Sequence, residues 1–188
     1  MQDIVRKLIH LIFGLLIAGM VYAAGKTIAT AILAGGLFIG LVLVDLILRG
    51  YRLPVFSILL VHFDRNDTIP GKGAMMFGMS ALVCVILFPV AIAVPAIVTL
   101  AVLDSVTTIA GQALGRHRIY NGKSFEGTAA GIIVTTIVLL VFMSLPGALA
   151  VAILAGIIEL VSPVDDNLVI PVAVAVLLAI MPGVLVAA

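Results

Sequence analysis

The sequence predicts an all-α protein: a polytopic integral membrane bundle of about seven transmembrane helices, forming a single domain over residues 1–188. Of the 188 residues, 64% are hydrophobic and only 10% are charged, a composition typical of membrane proteins and outside the range of water-soluble domains. Apolar runs of about 20 residues follow one another along the chain, joined mostly by short connections. Most Lys and Arg residues lie in alternate connections, as they do in loops that share one side of a bilayer.

Seven apolar runs are long enough, or nearly so, to cross a hydrocarbon core of about 30 Å. They cover residues 8–25, 27–48, 74–92, 94–115, 128–145, 147–161 and 168–187. The limits of the middle runs depend on Pro89, Pro95, Pro146 and Pro163, because proline interrupts the hydrogen bonds of a helix. A total of about six to eight helices is therefore compatible with the sequence.

The basic residues are distributed asymmetrically about the predicted bundle. With seven spans, Lys26 alone among the 10 Lys and Arg residues lies on the side opposite the N-terminus. The others are Arg6, Lys7, Arg49, Arg52, Arg65, Lys72, Arg116, Arg118 and Lys123. Because basic loops stay in the cytoplasm, the N-terminus and the ionisable face are predicted to be cytoplasmic. A net charge of +1, with acids matched to the bases, argues against a nucleic-acid partner.

The connection over residues 49–73 is too long for a simple turn and is predicted to have structure of its own. Its segment 53–61 is apolar but too short to span a bilayer, which is typical of an interfacial or re-entrant helix. Such a helix either gates the entry of a lipid substrate or only rests at the headgroups. After it, Lys72 brings a charge to the start of the third run, between Gly71 and Gly73.

Asp104 lies inside the fourth apolar run, where a charge costs roughly 2.5 to 3.5 kcal/mol. It therefore needs a cation, a proton or a water-filled cavity beside it. On a helix, three further residues share an arc of roughly 60° with Asp104, namely Thr108, Gly111 and Gly115. These four residues form a polar stripe on one face of the helix, and its two glycines have no side chains. A phosphate chain with a metal ion can therefore approach the backbone there. The pattern predicts a functional site.

Further acids follow in the last part of the chain: Glu159, Asp165 and Asp166. Together with Asp104 they are predicted to bind Mg²⁺ or another divalent cation, because hard cations prefer carboxylate oxygens. Two simpler interpretations stay open. Glu159 is compatible with a solvated helix end, and Asp165 and Asp166 are compatible with an Asx turn that caps the last helix.

Lys123 and Ser124 come directly before the helix that begins near Glu126. The N-terminus of a helix attracts phosphate through its free amides and its dipole, and a lysine there adds a charge-assisted contact. These two residues are therefore predicted to bind phosphate, although a surface lysine before a helix is the simpler alternative.

Near the N-terminus, His10 lies in the first run, one helical turn after Arg6. It either packs as a satisfied polar group between helices or contacts a substrate hydroxyl.

These motifs together resemble the CTP-dependent lipid kinases, the family that includes dolichol kinase, phytol kinase and the fungal-type diacylglycerol kinase. The resemblance extends over most of the chain, and its specific part is the Asp/Gly/Gly element joined to Lys-Ser-x-Glu-Gly. The matching elements are Arg6-Lys7-xx-His10, Arg65-x-Asp67 with Gly71-x-Gly73-Ala74, Asp104-xxx-Thr108-xx-Gly111-xxx-Gly115, Lys123-Ser124-Phe125-Glu126-Gly127-Thr128, and Glu159 with Asp165-Asp166-Asn167.

The resemblance implies transfer of the γ-phosphate of CTP, with a divalent metal such as Mg²⁺, to the hydroxyl of a membrane lipid alcohol: a polyprenol such as dolichol, phytol or a diacylglycerol. It implies catalytic roles for Asp104, Lys123 and Glu126. The implied nucleotide contacts are Arg6, Lys7, Lys72, Thr108, Gly111, Gly115, Lys123, Ser124 and Asn167. The implied contacts of the acceptor lipid are His10, Arg65 and Asp67.

The sequence departs from the family in two ways. Asp67 stands where the family is expected to have Glu, and the chain is much shorter than eukaryotic dolichol kinases, so the identity of the acceptor stays open. The oligomeric state also stays open, a homo-oligomer included.

Two alternative functions remain. An enzyme similar to phosphatidate cytidylyltransferase would make a CDP-lipid and shares the Lys-Ser/Thr-x-Glu-Gly element, but the sequence lacks the expected His-Gly-Gly followed by Asp-Arg-x-Asp. A transporter coupled to protons or cations would use Asp45, Asp104 and Glu159 at broken helices. Asp45, however, lies one turn before Arg49 and can simply pair with it. The sequence has no persuasive inverted repeat, and the one-sided charge favours an enzyme that uses a cytoplasmic nucleotide.

Overall fold

A computed structural model of the chain describes residues 2–51, 70–120 and 122–185. Within these ranges the chain forms α-helices and no β-strand, which confirms the all-α prediction. The helices are α1 (Gln2–Leu48), α2 (Lys72–Leu87), α3 (Val90–Leu114), α4 (Phe125–Leu139), α5 (Leu145–Val161) and α6 (Asp166–Ile180), followed by a short 3₁₀ helix (Pro182–Val184). The predicted interfacial segment, 53–61, lies outside the described residues.

α1 is a helical hairpin that turns back at Gly25. This glycine has φ 72° and ψ 174°, a conformation that other residues rarely adopt, and it interrupts the helical dihedral angles. A straight helix would separate residues 14 and 37 by roughly 34 Å. Instead, a Cβ on Gly14 would lie 3.4 Å from the ring of Phe77, and a Cβ on Gly78 would lie 3.2 Å from Leu37. The two arms of α1 therefore run in opposite directions beside α2, and they correspond to the first two predicted runs.

α3 is the central helix of the bundle and contacts each of the other five helices. Its side chains are buried without interruption from Ile92 to Ser105, and Leu100 and Leu103 are fully buried. Such a helix is apolar on all sides because every face meets another helix. Asp104 directly follows Leu103 and is therefore placed in the interior of the bundle.

The boundary between α2 and α3 depends on proline and differs from the predicted limits. α2 ends at Leu87 and α3 begins at Val90, because Pro89 has no N–H and fits the position before the first helical turn. The sequence instead predicts this boundary at residues 92–94. Pro95 stays inside α3, where the hydroxyl of Thr99 donates a 2.7 Å hydrogen bond to its carbonyl oxygen.

Two helices of the described chain are long and apolar enough to cross a membrane, α1 and α3. α1 presents large apolar side chains outward, among them Phe13, Leu16 and Phe38, whereas α3 is enclosed by its neighbours. The other four helices are also apolar but have only 15 to 17 residues each. The predicted apolar helical bundle is therefore confirmed in its coarse form.

Candidate functional site

The described acids and bases gather at one end of the bundle. Both ends of α1 lie at this end because the helix turns back at Gly25, and so do the starts of α2, α4 and α6. α3 and α5 run toward this end. Lys26 is the exception among the described charged residues, since it follows the turn at the opposite end. The fold thus produces the charge asymmetry that the sequence predicts.

Asp104 is held by residues of α1. Its side chain is 3% exposed, and Nζ of Lys7 lies 2.5 Å from each of its carboxylate oxygens. Nε2 of His10, nearly one turn further along α1, lies 3.5 Å from Oδ2 of Asp104. The hydroxyl of Ser105 donates a 3.0 Å hydrogen bond to the carbonyl oxygen of Lys7, which fixes α1 against α3. The compensating cation that Asp104 needs inside an apolar helix is thus Lys7.

Lys123 bridges two acids that come from α5 and α6. Its Nζ lies 3.0 Å from Oε1 of Glu159 and 3.1 Å from Oδ2 of Asp166, and it donates a further 2.7 Å hydrogen bond to the backbone oxygen of Glu159. Burial lowers the pKa of Lys123, but the two carboxylates outweigh burial, so that its pKa is raised. The ammonium group is therefore charged at neutral pH. The simpler expectation of a surface lysine does not apply, because the Lys123 side chain is only 26% exposed.

Three carboxylates come together beside these lysines. Asp104, Glu159 and Asp166 each offer an oxygen within 4.8 Å of the others. Oε1 of Glu159 accepts a 2.6 Å hydrogen bond from the hydroxyl of Thr107, but its Oε2 is buried and has no hydrogen-bond partner among the described residues. Such an orphan oxygen is unfavourable unless a cation or a water molecule meets it. The donor set fits a hard divalent cation such as Mg²⁺. We call the side chains of Asp104, Glu159 and Asp166 the carboxylate group.

Asp165 lies beside the carboxylate group, at the cap of α6. Its Oδ1 accepts a 3.2 Å hydrogen bond from the backbone N–H of Asn167, as the capping alternative predicts. Nζ of Lys72 lies 3.9 Å from its Oδ2. Asp165 therefore caps α6, and its predicted role as a metal ligand stays a prediction. Asn167 accepts a 2.7 Å hydrogen bond from Ser80 through its backbone oxygen, which joins α6 to α2.

The glycine face next to Asp104 is covered by the start of α4. A Cβ on Gly111 would lie 3.1 Å from the hydroxyl oxygen of Ser124, and one on Gly115 would lie 2.6 Å from it. A Cβ on Gly127 would lie 2.8 Å from Cα of Gly111. These glycines thus let α3 and α4 approach closely. Protein fills the stripe that the sequence predicts to be bare, and the nucleotide contacts of Gly111 and Gly115 stay a prediction.

Two hydroxyl groups with predicted nucleotide contacts are engaged within their own segments. Ser124 caps α4 by accepting a 3.1 Å hydrogen bond from the N–H of Gly127. Thr108 donates a 2.9 Å hydrogen bond to the backbone oxygen of Asp104, one turn earlier in α3. Both hydroxyls therefore stabilise local structure, and their contacts with a nucleotide stay a prediction.

Glu126 binds the loop that carries Lys123 and does not join the carboxylate group. Its carboxylate accepts hydrogen bonds from the backbone N–H groups of Arg116 and His117, at 3.1 and 3.2 Å, and lies 2.6 Å from Nδ1 of His117. The His117 ring, and then backbone hydrogen bonds, lower the pKa of Glu126 to about 2. These contacts indicate that Glu126 positions the loop, and the catalytic role that the resemblance implies for it stays a prediction.

Charged residues at the rim of the site pair locally. Arg6, predicted to contact the nucleotide, lies 3.1 Å from Asp3 on the preceding turn. Asp45 lies 2.7 Å from Arg49, which confirms the simple pairing expected from their spacing. Two predicted contacts of the acceptor lipid lie outside the described residues, namely Arg65 and Asp67.

Three hydroxyl side chains organise the site and could not be recognised in the sequence. Thr107 bonds to the carboxylate of Glu159, and Ser105 and Ser80 bond to the backbone of neighbouring helices. A Ser or Thr in an apolar helix does not by itself indicate a site, because its hydroxyl commonly donates a hydrogen bond to a backbone oxygen of the same helix. Register is the one available signal: Thr107 lies three residues after Asp104 and therefore near the same face.

Comparison with known proteins identifies a relative that matches nearly end to end. The chain is 37% identical over 180 residues to the uncharacterized protein MJ1137 of Methanocaldococcus jannaschii, an alignment that covers 93% of this chain and 92% of that protein. No protein-family model matches the chain, and no solved structure matches it.

Proposed function

We propose one function for the family to which this chain and the Methanocaldococcus jannaschii protein belong: transfer of the γ-phosphate of CTP to the hydroxyl of a polyprenol, dolichol-type, phytol or diacylglycerol lipid. The observation that carries the proposal is the set of two lysines and three carboxylates, largely buried at one end of an apolar bundle. Phosphoryl transfer depends on positioning and charge neutralisation more than on covalent chemistry. Lysines for the phosphates and carboxylates for a divalent cation supply both.

The proposal includes a multi-pass position in the membrane, with the site at the cytoplasmic face. The arms of α1 and the five other helices give seven apolar segments, which supports the seven predicted spans. Segments of 15 to 17 residues reach roughly 22 to 26 Å, and local thinning of the bilayer accommodates such a difference from a core of about 30 Å. The excess of bases at the same end supports a cytoplasmic location, where the nucleotide is found.

The residues of the site have distinct parts in the proposed reaction. Lys7 and Lys123 bind and neutralise phosphate oxygens, while Asp104, Glu159 and Asp166 would hold the divalent cation. When bound, the cation supplies positive charge to the oxygens of the transferred phosphate. The hydroxyl oxygen of the lipid forms a bond to the γ-phosphorus as the bond from that phosphorus to the bridging oxygen breaks. CDP leaves with the electron pair, and the hydroxyl proton passes to a base.

His10 is the described group best placed to accept that proton. Its Nε2 is buried, has no hydrogen-bond partner among the described residues and lies 3.5 Å from Asp104. The centre of its ring lies 5.0 Å from that of Phe77, so an apolar surface adjoins the base. The outward face of α1 carries apolar side chains along which a lipid chain can pack while its hydroxyl enters the site.

An acceptor assay tests the proposal. The purified protein in detergent is incubated with Mg²⁺, CTP labelled on the γ-phosphate and, in separate reactions, a polyprenol, phytol and a diacylglycerol. We expect label in the lipid product from at least one acceptor. In a further reaction with phosphatidate as the acceptor, release of labelled pyrophosphate and formation of a CDP-lipid would identify a cytidylyltransferase instead. If neither product forms, both enzyme functions are rejected and cation-coupled transport is tested in vesicles.

A further inference from the structure

Lys123 occupies the place at which a divalent cation would bind. Its Nζ lies 3.0 Å from Oε1 of Glu159 and 3.1 Å from Oδ2 of Asp166, and both acids belong to the carboxylate group. Lys7 contacts the third member, Asp104, through both carboxylate oxygens. Each carboxylate of the group is thus already paired with an ammonium group of this chain.

The charge of the site is nearly balanced without a bound ion. Two ammonium groups and three carboxylates sum to −1, with His10 neutral. A divalent cation added alone would change this sum to +1, although the side chains of Asp104 and Glu159 are only 3% and 2% exposed. It would also compete with Lys123 for the same oxygens. Charge that is withdrawn from water and left without a partner is unfavourable, so the metal alone binds weakly.

One oxygen nevertheless lacks a partner in this arrangement. Oε1 of Glu159 accepts one hydrogen bond from the hydroxyl of Thr107 and contacts Nζ of Lys123, whereas Oε2 is buried without a hydrogen-bond partner among the described residues. A fully paired site would leave no such atom. A cation that replaced the ammonium group of Lys123 would reach this carboxylate, so the same acids fit the lysine in one state and a metal ion in another.

We propose that Lys123 is an internal counter-cation, which a divalent metal ion displaces efficiently only when a polyphosphate arrives to receive the lysine. The inference rests on the proposed function for the identity of that polyphosphate, the triphosphate of a nucleotide. The ammonium group moves from the carboxylates to phosphate oxygens, with which it forms charge-assisted hydrogen bonds of the same kind. Metal and nucleotide therefore bind with positive coupling.

Removal of the lysine charge tests this displacement. In Lys123→Met the carboxylate group loses one of its two ammonium partners, so Mn²⁺ no longer competes with an internal cation. We expect Mn²⁺ alone, without nucleotide, to bind the full-length variant in detergent at least about tenfold more tightly than the wild-type protein, within the range of coupled sites. Electron paramagnetic resonance of free Mn²⁺ measures this binding independently of turnover.

Lys72→Met is the matched control. The same substitution removes a positive charge from the same end of the bundle, but Nζ of Lys72 lies 3.9 Å from Asp165, outside the carboxylate group. We expect its Mn²⁺ affinity to stay within about twofold of wild type, since a partly exposed pair contributes little. An equal gain in Mn²⁺ affinity in both variants would indicate general electrostatic attraction of cations to this end of the bundle and would overturn the proposal. An unchanged affinity in Lys123→Met would overturn it as well.

The stability of Lys123→Met provides a second measurement, because the substitution leaves buried carboxylates unpaired. Prepared with Mg²⁺, the variant is expected to unfold on addition of a chelator at a temperature at which the wild-type protein stays folded. Unfolding that is independent of metal would contradict the displacement. Tight metal binding by the variant, together with no lipid phosphorylation by the wild type, would reject the kinase and retain the counter-cation. Conversely, unchanged metal binding by the variant, together with lipid phosphorylation by the wild type, would retain the kinase and reject the counter-cation.

Discussion

Lys7 and Asp104 lie 97 positions apart in the chain and form an ion pair that joins the start of α1 to the central helix α3. Their side chains are only 13% and 3% exposed. Loss of one partner from a buried pair destabilises a protein by roughly 3 to 5 kcal/mol because it leaves an uncompensated charge, whereas replacement of both partners has a much smaller effect. The pair therefore supports the fold and the proposed site together.

Asp104→Asn is expected to abolish lipid phosphorylation and to lower the unfolding midpoint in detergent, because Lys7 loses its counter-charge. Combining Asp104→Asn with Lys7→Met should restore most of the midpoint but no activity. Asp45→Asn is the matched control, since Asp45 is 58% exposed and pairs with Arg49 on the next turn of the same helix. Thermal unfolding and the acceptor assay measure the two effects. Continued phosphorylation by Asp104→Asn would exclude this residue from the cation site.

Gly127 determines how closely α3 and α4 approach, and α4 follows directly after the loop that carries Lys123. A Cβ at Gly127 would lie 2.6 Å from the backbone oxygen of Thr107 and 2.8 Å from Cα of Gly111. Gly127→Ala therefore forces two backbones apart. We expect it to destabilise the protein by about 1 to 3 kcal/mol and to reduce phosphorylation, as Lys123 moves relative to the acids.

Gly35→Ala is the control for this helix contact, because no atom of the described residues lies within 4 Å of a Cβ at that position of α1. Its stability should be unchanged or higher by up to about 1 kcal/mol, since alanine favours a helix more than glycine does. Denaturant unfolding of both variants in detergent provides the measurement. Equal stability of the two variants would contradict the close contact assigned to Gly127.

The helices could be predicted more fully than their boundaries and contacts. Apolar runs identify each helical segment. Gly25, a residue common in turns, and the charged Lys26 that follows it separate the first two runs. The break at Pro89 could not be assigned with the same precision, because proline is compatible both with the end of one helix and with the start of the next. Tertiary contacts, such as the enclosure of α3 by five helices, depend on packing between distant segments, which the periodicity of a single segment does not reveal.

The acids of the site could be predicted because a carboxylate in an apolar helix is unusual, and Asp104 and Glu159 are such residues. Their partners could not be predicted, since no local pattern shows which distant lysine faces which acid. Asp165 and Asp166 illustrate the limit: they are adjacent in the chain, yet the first caps α6 and the second joins the carboxylate group. Successive residues at the start of a helix point in different directions, and only the fold decides which one meets its neighbours.

Glu126 is expected to titrate far below an ordinary glutamate, because the His117 ring and then backbone hydrogen bonds lower its pKa from 4.5 to about 2. The value in the folded protein lies below the unfolded value, so the contact stabilises the loop fully above pH 4.5 and is lost as the pH falls through about 2. The carboxyl carbon resonance of Glu126 in micelles measures the midpoint. In His117→Ala the midpoint should rise toward 4.5. A wild-type midpoint already near 4.5 would show that the loop contact is not formed.

The proposed cytoplasmic orientation of the site is tested by labelling introduced cysteines with a membrane-impermeant maleimide. Cys84 is buried and stays silent, whereas Lys26 and Arg116 are exposed at opposite ends of the bundle. Because basic loops are retained in the cytoplasm, we expect Lys26→Cys to react from outside intact cells and Arg116→Cys to react only in inverted vesicles. Labelling of both from outside would contradict a bundle that crosses the membrane. The reversed pattern would place the carboxylate group away from cytoplasmic CTP and would reject the proposed kinase.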